Sequence, residues 1–172
     1  IIPTLGIWDT ANEINFNELP DQFVLKCNHN SGVGMCICKN KTELNIQKVK
    51  AELNKALQQD YYLIGREWPY KNVRRKVFAE KYMVDESGAE LKDYKFFCFN
   101  GKAKFFKIDF DRFTDHRANY YDLDGKFLPF GENEYPPDPM HVIVLPENLS
   151  QMIFISEKLS KDIPFVRIDL YN

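Results

Sequence analysis

The dipeptide Asn100-Gly101 stands between two β-type runs, Tyr94-Lys95-Phe96-Phe97-Cys98-Phe99 on one side and residues 103–110 on the other. Asn-Gly accepts the positive φ at both centres of a type I′ turn, whose twist matches that of two paired strands, so the stretch is read as an antiparallel hairpin. Asp124-Gly125, between Tyr120-Tyr121 and Phe127-Leu128, repeats the signal. The middle of the chain is therefore expected to be antiparallel sheet.

Other elements can be placed around that sheet. Phe23-Val24-Leu25-Lys26-Cys27 and residues 35–38 read as short strands flanking a loop that contains Gly32 and Gly34. From Thr42 to about Gln59, Ile46, Val49, Leu53 and Leu57 recur at three- and four-residue steps, which predicts a helix with Thr42 as its N-cap. A polar and aromatic connection over 61–75 leads to a strand over 77–83, and a Pro-rich crossing (Pro136, Pro137, Pro139, Pro146) leads to a helix carrying Leu149, Met152, Ile153, Ser156 and Leu159. Residues 1–20 read as an irregular lead-in with at most a short helix, and residues 166–172 as an alternating strand. The fold class is α+β, with 21–84 as a first lobe and 85–172 as a second. Because the chain opens without Met and closes within a strand, it is read as truncated at both ends.

Composition limits the functions available. The 172 residues, 44% of them hydrophobic, suffice for one sizeable core. A net charge of -2 argues against a broad electropositive surface, so nucleic acid is not an expected partner and any anion site must be local. No apolar run reaches the roughly 18 residues of a membrane span and there is no secretory leader, which makes a cytoplasmic protein the expectation. Of four cysteines, Cys36 and Cys38 share a strand face; zinc with Cys27 and His29 is conceivable, but reduced, packed thiols are the better reading.

Neither G-x4-G-K-[ST] nor G-x-G-x-x-G occurs. The loop 28–34 still suits phosphate, because Gly32 and Gly34 let backbone N–H groups turn toward an anion and Lys26 adds a point charge. Many such loops are plain turns. Glu80-Lys81-Tyr82-Met83 ends a strand, and Asp93 and Lys95 begin the next; such an edge can read adenine through its backbone and ribose through a carboxylate, or can simply be a solvated charged edge. Arg167 and Asp169 share one face of the last strand, as a surface ion pair or as a phosphate clamp beside a Mg2+ ligand.

The order of these features resembles the ATP-grasp superfamily over nearly the whole chain, and more closely the TupA-like ATP-grasp family. The resemblance is carried by residues 2–9, by Phe23-Val24-Leu25-Lys26-Cys27-Asn28-His29, by Gly65-Arg66-Glu67-Trp68, by 93–101 and by Phe165-Val166-Arg167-Ile168-Asp169-Leu170-Tyr171. It implies an ATP-grasp fold of two small lobes with mixed or antiparallel sheets and ATP between them. It implies Lys26 as the first lobe's phosphate lysine and Asn30, Ser31, Gly32 and Gly34 in its lid. Glu80, Lys81, Tyr82 and Met83 would form the adenine hinge, and Asp93 would bind ribose, a role that Glu86 or Glu90 could share. Arg167 would bind phosphate, Asp169 would be the first Mg2+ ligand, and Lys95 and Arg112 would lie on the phosphate or acceptor side.

The implied reaction is ATP-dependent carboxylate–amine ligation through an acylphosphate, in cell-surface polysaccharide or peptide-glycan synthesis. A uronic acid or glycan carboxyl and an amino acid are the suggested substrates. The remaining metal ligands are expected beyond Asn172, so the fragment alone is expected to be inactive. The alternative is a non-catalytic sugar- or nucleotide-binding module, or a glycosyltransferase-associated protein of a polysaccharide locus, using His116 and His141 with Asp109, Asp111 and Asp115. An RNA binder built on Phe96–Phe99 and residues 71–76 is the weakest reading, since those aromatics alternate as core residues do.

Overall fold

The computed structural model describes residues 1–84, 91–111 and 114–171. The chain divides into two compact units, Ile1–Met83 and Val84–Asn172. Glu86, Glu90 and Arg112, singled out above, lie outside the described residues. Among the described residues no helix is long and apolar enough to cross a membrane.

The first unit is a four-stranded antiparallel sheet built from β1 (Thr4–Trp8), β2 (Phe23–Cys27), β3 (Met35–Cys38) and β4 (Val77–Lys81), in the order β1-β4-β2-β3. Helix α1 (Ile46–Leu57) buries Val49, Leu53, Ala56 and Leu57 in the core that also holds Phe23, Leu25, Val77 and Ala79. The lead-in is not irregular. Thr4–Trp8 pairs with β4, and Ala11, Ile14, Phe16 and Leu19 behind it are buried in the same core. A register shift between Thr4 and Gly6 breaks the strict alternation by which a strand is recognised.

The start of α1 also differs from expectation. Asn45 caps it, accepting from Lys48 N at 3.0 Å, whereas Thr42 sits in a 3-10 turn over Lys41–Glu43. Both residue types cap well, and Asn45 is the one adjacent to the apolar stripe. The connection over 61–75 contains a short helix, α2 (Tyr61–Gly65), and a 3-10 turn over Trp68–Tyr70. Strand β4 stops at Lys81, before Tyr82 and Met83.

The second unit is a five-stranded sheet of β5 (Asp93–Phe99), β6 (Lys102–Phe110), β7 (Arg117–Tyr121), β8 (Phe127–Leu128) and β9 (Phe165–Tyr171), in the order β8-β7-β6-β5-β9. All neighbours are antiparallel. Asn100 and Gly101 have φ of 49° and 75°, as the β5–β6 hairpin turn requires. Helix α3 (Leu149–Leu159) brings Met152 into the core with Tyr94, Phe96, Cys98, Phe106, Ile108 and Tyr121. Strand β9 adds Val166, Ile168 and Leu170 to that side. Asn119, fully buried on β7, donates to Asp138 O at 2.7 Å and accepts from Asp138 N at 2.9 Å, which fastens the Pro-rich crossing to the sheet.

Leu53 is 1% exposed at the centre of the first core. Leu53→Ala should lower unfolding stability by about 2–5 kcal/mol, read as a lower urea midpoint with unchanged slope. Asn119→Ala should cost about 1–3 kcal/mol, since both Asp138 backbone groups lose their partner.

Candidate functional site

In the first unit, alternation puts Lys26 on the sheet face opposite the core, among the exposed Ile7, Met35 and Ile37. Its ammonium donates to Glu80 Oε2 at 2.6 Å across the β2–β4 pairing. The two residues assigned to phosphate and hinge in the sequence are thus ion-paired with each other. Lys81 N donates to Pro3 O at 3.0 Å, so that amide is engaged by the residue before β1.

The glycine loop is anchored at its base and exposed at its tip. Asn28 accepts from Lys76 N and donates to Arg74 O, Asn30 Nδ2 donates to Ala56 O at 3.2 Å, and buried His29 places Nε2 3.2 Å from Gln59 O. Burial holds His29 below the usual histidine range. Gly34 has φ 67°, and a Cβ there would lie 2.7 Å from Ala56 Cβ and 2.9 Å from Cys27 Sγ, so only glycine lets the loop close onto α1. Ser31 and Gly32 are exposed, and Gly32, with φ 75°, has open space around it. Of the sequence-predicted lid, Asn30 is therefore an anchor, while Ser31 and Gly32 form the tip. A cavity of about 260 Å³ lies between this loop and α1, lined by Val33, Gly34, Cys36, Leu53, Ala56 and Gln59 among others, and Lys26 is not part of it. The four cysteines are free, and burial pushes the Cys27 thiol up to about 11.

In the second unit the sheet face away from α3 carries the charge. Three adjacent strands each present one carboxylate and one cation two residues apart: Asp93 and Lys95 on β5, Lys107 and Asp109 on β6, Arg167 and Asp169 on β9. The register sets Lys95 opposite Lys107 on one side and Asp169 on the other. Lys95 Nζ donates to Asp93 Oδ1 at 2.6 Å and to Asp109 Oδ2. Asp109 also receives His116 Nε2 at 3.0 Å and has Lys107 Nζ at 3.4 Å. Lys107 further donates to Glu132, which accepts from Tyr120 Oη at 3.2 Å. The His116 ring stacks on Tyr135 with centroids 3.8 Å apart.

Burial alone would raise Asp109, but Lys95, Lys107 and His116 hold its carboxyl below the usual range. Burial and the nearby Glu132 push Tyr120 up to about 12. At the outer strand the Arg167 guanidinium grips both oxygens of Asp169, Nε to Oδ1 at 2.8 Å and Nη2 to Oδ2 at 2.9 Å, and that pairing raises the Arg167 pKa. Beyond this pair the same face is aromatic: Phe97 stacks on Phe105 at 4.7 Å, Phe99 meets Phe165 at 5.0 Å, and Tyr120 meets Phe130 at 4.7 Å.

The second unit thus gathers Asp93, Lys95, Arg167 and Asp169 on one face, and the first unit gathers Lys26 and Glu80. Lys107, Glu132 and Tyr135 were not singled out from the sequence. Alternation along β6 puts Lys107 beside Asp109, but only the hairpin register reveals that both flank Lys95. Among the described residues no group of three His, Cys, Asp or Glu side chains is placed to hold a metal ion. Asp169 is a partly exposed carboxylate on the sheet face. That single donor suits Mg2+, which retains waters and phosphate oxygens as ligands, and does not suit a cation caged by protein alone.

Two units, each an antiparallel sheet with helices and each carrying charged groups on the sheet face away from its apolar core, define an α+β architecture of ATP-grasp type. The family model described as TupA-like ATPgrasp matches residues 1–172, and the chain belongs to that family. No curated protein and no solved structure matches it. Family membership points to ligase-type activity, and ATP with Mg2+ is the general requirement of the family.

Asp109 is 5% exposed at the hub of the charged face. A carboxylate whose folded pKa is depressed contributes stability above its unfolded pKa and loses it as pH falls through the folded value. Stability should therefore drop on acidification from about pH 5 toward pH 2, and Asp109→Asn should flatten that drop in urea titrations run across the range.

Proposed function

We propose that this chain carries the nucleotide-gripping residues of an ATP-dependent ligase that joins a carboxylate to an amine. The observation that carries the reading is the alignment of Lys95, Arg167 and Asp169 on one sheet face of a TupA-like ATP-grasp chain. A planar guanidinium matches phosphate oxygens in pairs, a lysine supplies a point charge, and a neighbouring carboxylate accepts Mg2+. In this reading Lys26 contacts phosphate and Ser31 and Gly32 cover it, with Asn30 and Gly34 holding the loop's base. Glu80, Lys81, Tyr82 and Met83 border the adenine, and Asp93 takes the ribose hydroxyls. Mg2+ would neutralise phosphate charge beside Asp169.

The chemistry is a phosphoryl transfer followed by acyl transfer. A carboxylate oxygen attacks the γ-phosphorus and ADP leaves. The amine then attacks the acyl carbon, inorganic phosphate departs, and the amine loses a proton. Little covalent work falls to the protein, so positioning and charge neutralisation by Lys95 and Arg167 dominate the rate. The proposed carboxylate is a uronic acid or glycan carboxyl and the amine an amino acid, in cytoplasmic synthesis of a cell-surface polysaccharide or peptide-glycan conjugate. The exposed rings of Phe99, Phe130 and Phe165 favour a sugar-bearing substrate, because the C–H face of a pyranose lies well against aromatic rings.

The second reading, a sugar- or nucleotide-binding module without ligase activity, is favoured by the pairing of Lys26, Lys95 and Arg167 with carboxylates. The two part in a screen of uronic acids and amino acids for ATP-dependent phosphate release. The ligase reading expects an amide product, with turnover reduced at least about 100-fold in Lys26→Ala and in Asp169→Asn. Unchanged MgATP binding and turnover in both variants would sink it.

A further inference from the structure

Among the described residues, Lys95, Lys107 and Arg167 of the charged face are each committed to carboxylates of the same chain. Lys95 sits between Asp93 and Asp109, Lys107 between Asp109 and Glu132, and Arg167 on Asp169. A polyphosphate approaching this face meets three engaged cations and four carboxylates. It gains any of these three by displacing a carboxylate, and the pairs differ in how readily they part. Lys95 and Asp109 have side chains 12% and 5% exposed, so separating them strands a charge away from water. Arg167 and Asp169 are 48% and 37% exposed, so water can solvate either one when they separate. Their two parallel hydrogen bonds are also the geometry in which a guanidinium takes two phosphate oxygens.

We infer that the Arg167–Asp169 pair is a clasp opened by exchange: Asp169 passes to a divalent cation as Arg167 passes to the phosphates, so the two ligands bind cooperatively through this one pair. The inference rests on the ATP-dependent reading above and adds to it a reason for metal dependence that lies in the protein's own ion pairing. Without a divalent cation, Asp169 competes with the nucleotide for Arg167. With one, both halves of the pair have new partners and neither charge is left unmatched. Coupling of this kind is reciprocal, so the nucleotide tightens the divalent cation by the same factor.

The test is equilibrium binding of ADP, by calorimetry, in EDTA and in excess Mg2+, for the protein and for Asp169→Asn, Arg167→Gln and the double variant. The protein should bind ADP at least about tenfold more tightly with Mg2+ than without. Asp169→Asn should tighten ADP in EDTA by about fivefold, the worth of an exposed bidentate pair, and should lose most of the Mg2+ enhancement. In the Arg167→Gln background the same substitution should bring no gain in EDTA. A gain that persists without Arg167 would mean a general effect of removing negative charge, and would overturn the clasp while leaving the nucleotide site intact. An undiminished Mg2+ enhancement in Asp169→Asn would overturn it as well. Failure of the unaltered protein to bind ADP in either condition would instead remove the ATP-dependent reading, and the clasp with it.

Discussion

The contact between Lys95 and Asp109 depends on the register of β5 against β6, and much of the second unit depends on that register. Strand side chains alternate with period two, so a slip of β6 by one residue against β5 would turn Lys107 and Asp109 toward α3 and push Phe106 and Ile108 to the other side. The turn at Asn100-Gly101 and the apolar demand of α3 therefore select the same alignment. A one-residue slip would place several charges in an apolar core, which is far outside what a domain of marginal stability tolerates. Extending the alignment to β9 brings Arg167 and Asp169 into the same field of charge.

The first unit is governed by a close approach. Gly34 permits the loop to close against Cys27 and Ala56, and this contact joins β2, β3 and α1 at one corner. The base of the loop is then fixed by Asn28 and Asn30, leaving Ser31 and Gly32 to move with little loss of packing. The phosphate-covering role proposed for this loop would draw on that division between a fixed base and an exposed tip.

Much of this fold was legible in the sequence. The Asn-Gly and Asp-Gly turns marked the hairpins, the apolar stripe marked α1, and the ordered motifs pointed to the family. Strand β1 was hidden because an irregularity near Leu5 spoils its alternation and Pro3 suggests a coil. Asn45, not Thr42, caps α1, because residue type alone does not rank two good caps. The ion pairs were out of reach for a different reason: Lys26 meets Glu80 across 54 residues and Lys107 meets Glu132 across 25, and only tertiary structure supplies such pairings. Lys26 and Lys95, which the resemblance puts on the phosphate or acceptor side, are in the fold paired with carboxylates of the chain itself.

Strand β9 forms one border of the five-stranded sheet, and among the described residues its outer main chain has no β partner. Such a border is a template on which a second chain can add a strand. Every other side chain of β9 on the exposed side is aromatic or charged, Phe165 and Tyr171 flanking Arg167 and Asp169. Charged side chains disfavour edge-to-edge pairing, and Arg167 and Asp169 put two of them on this strand. The pair proposed to grip a ligand therefore also sets the charge of that border.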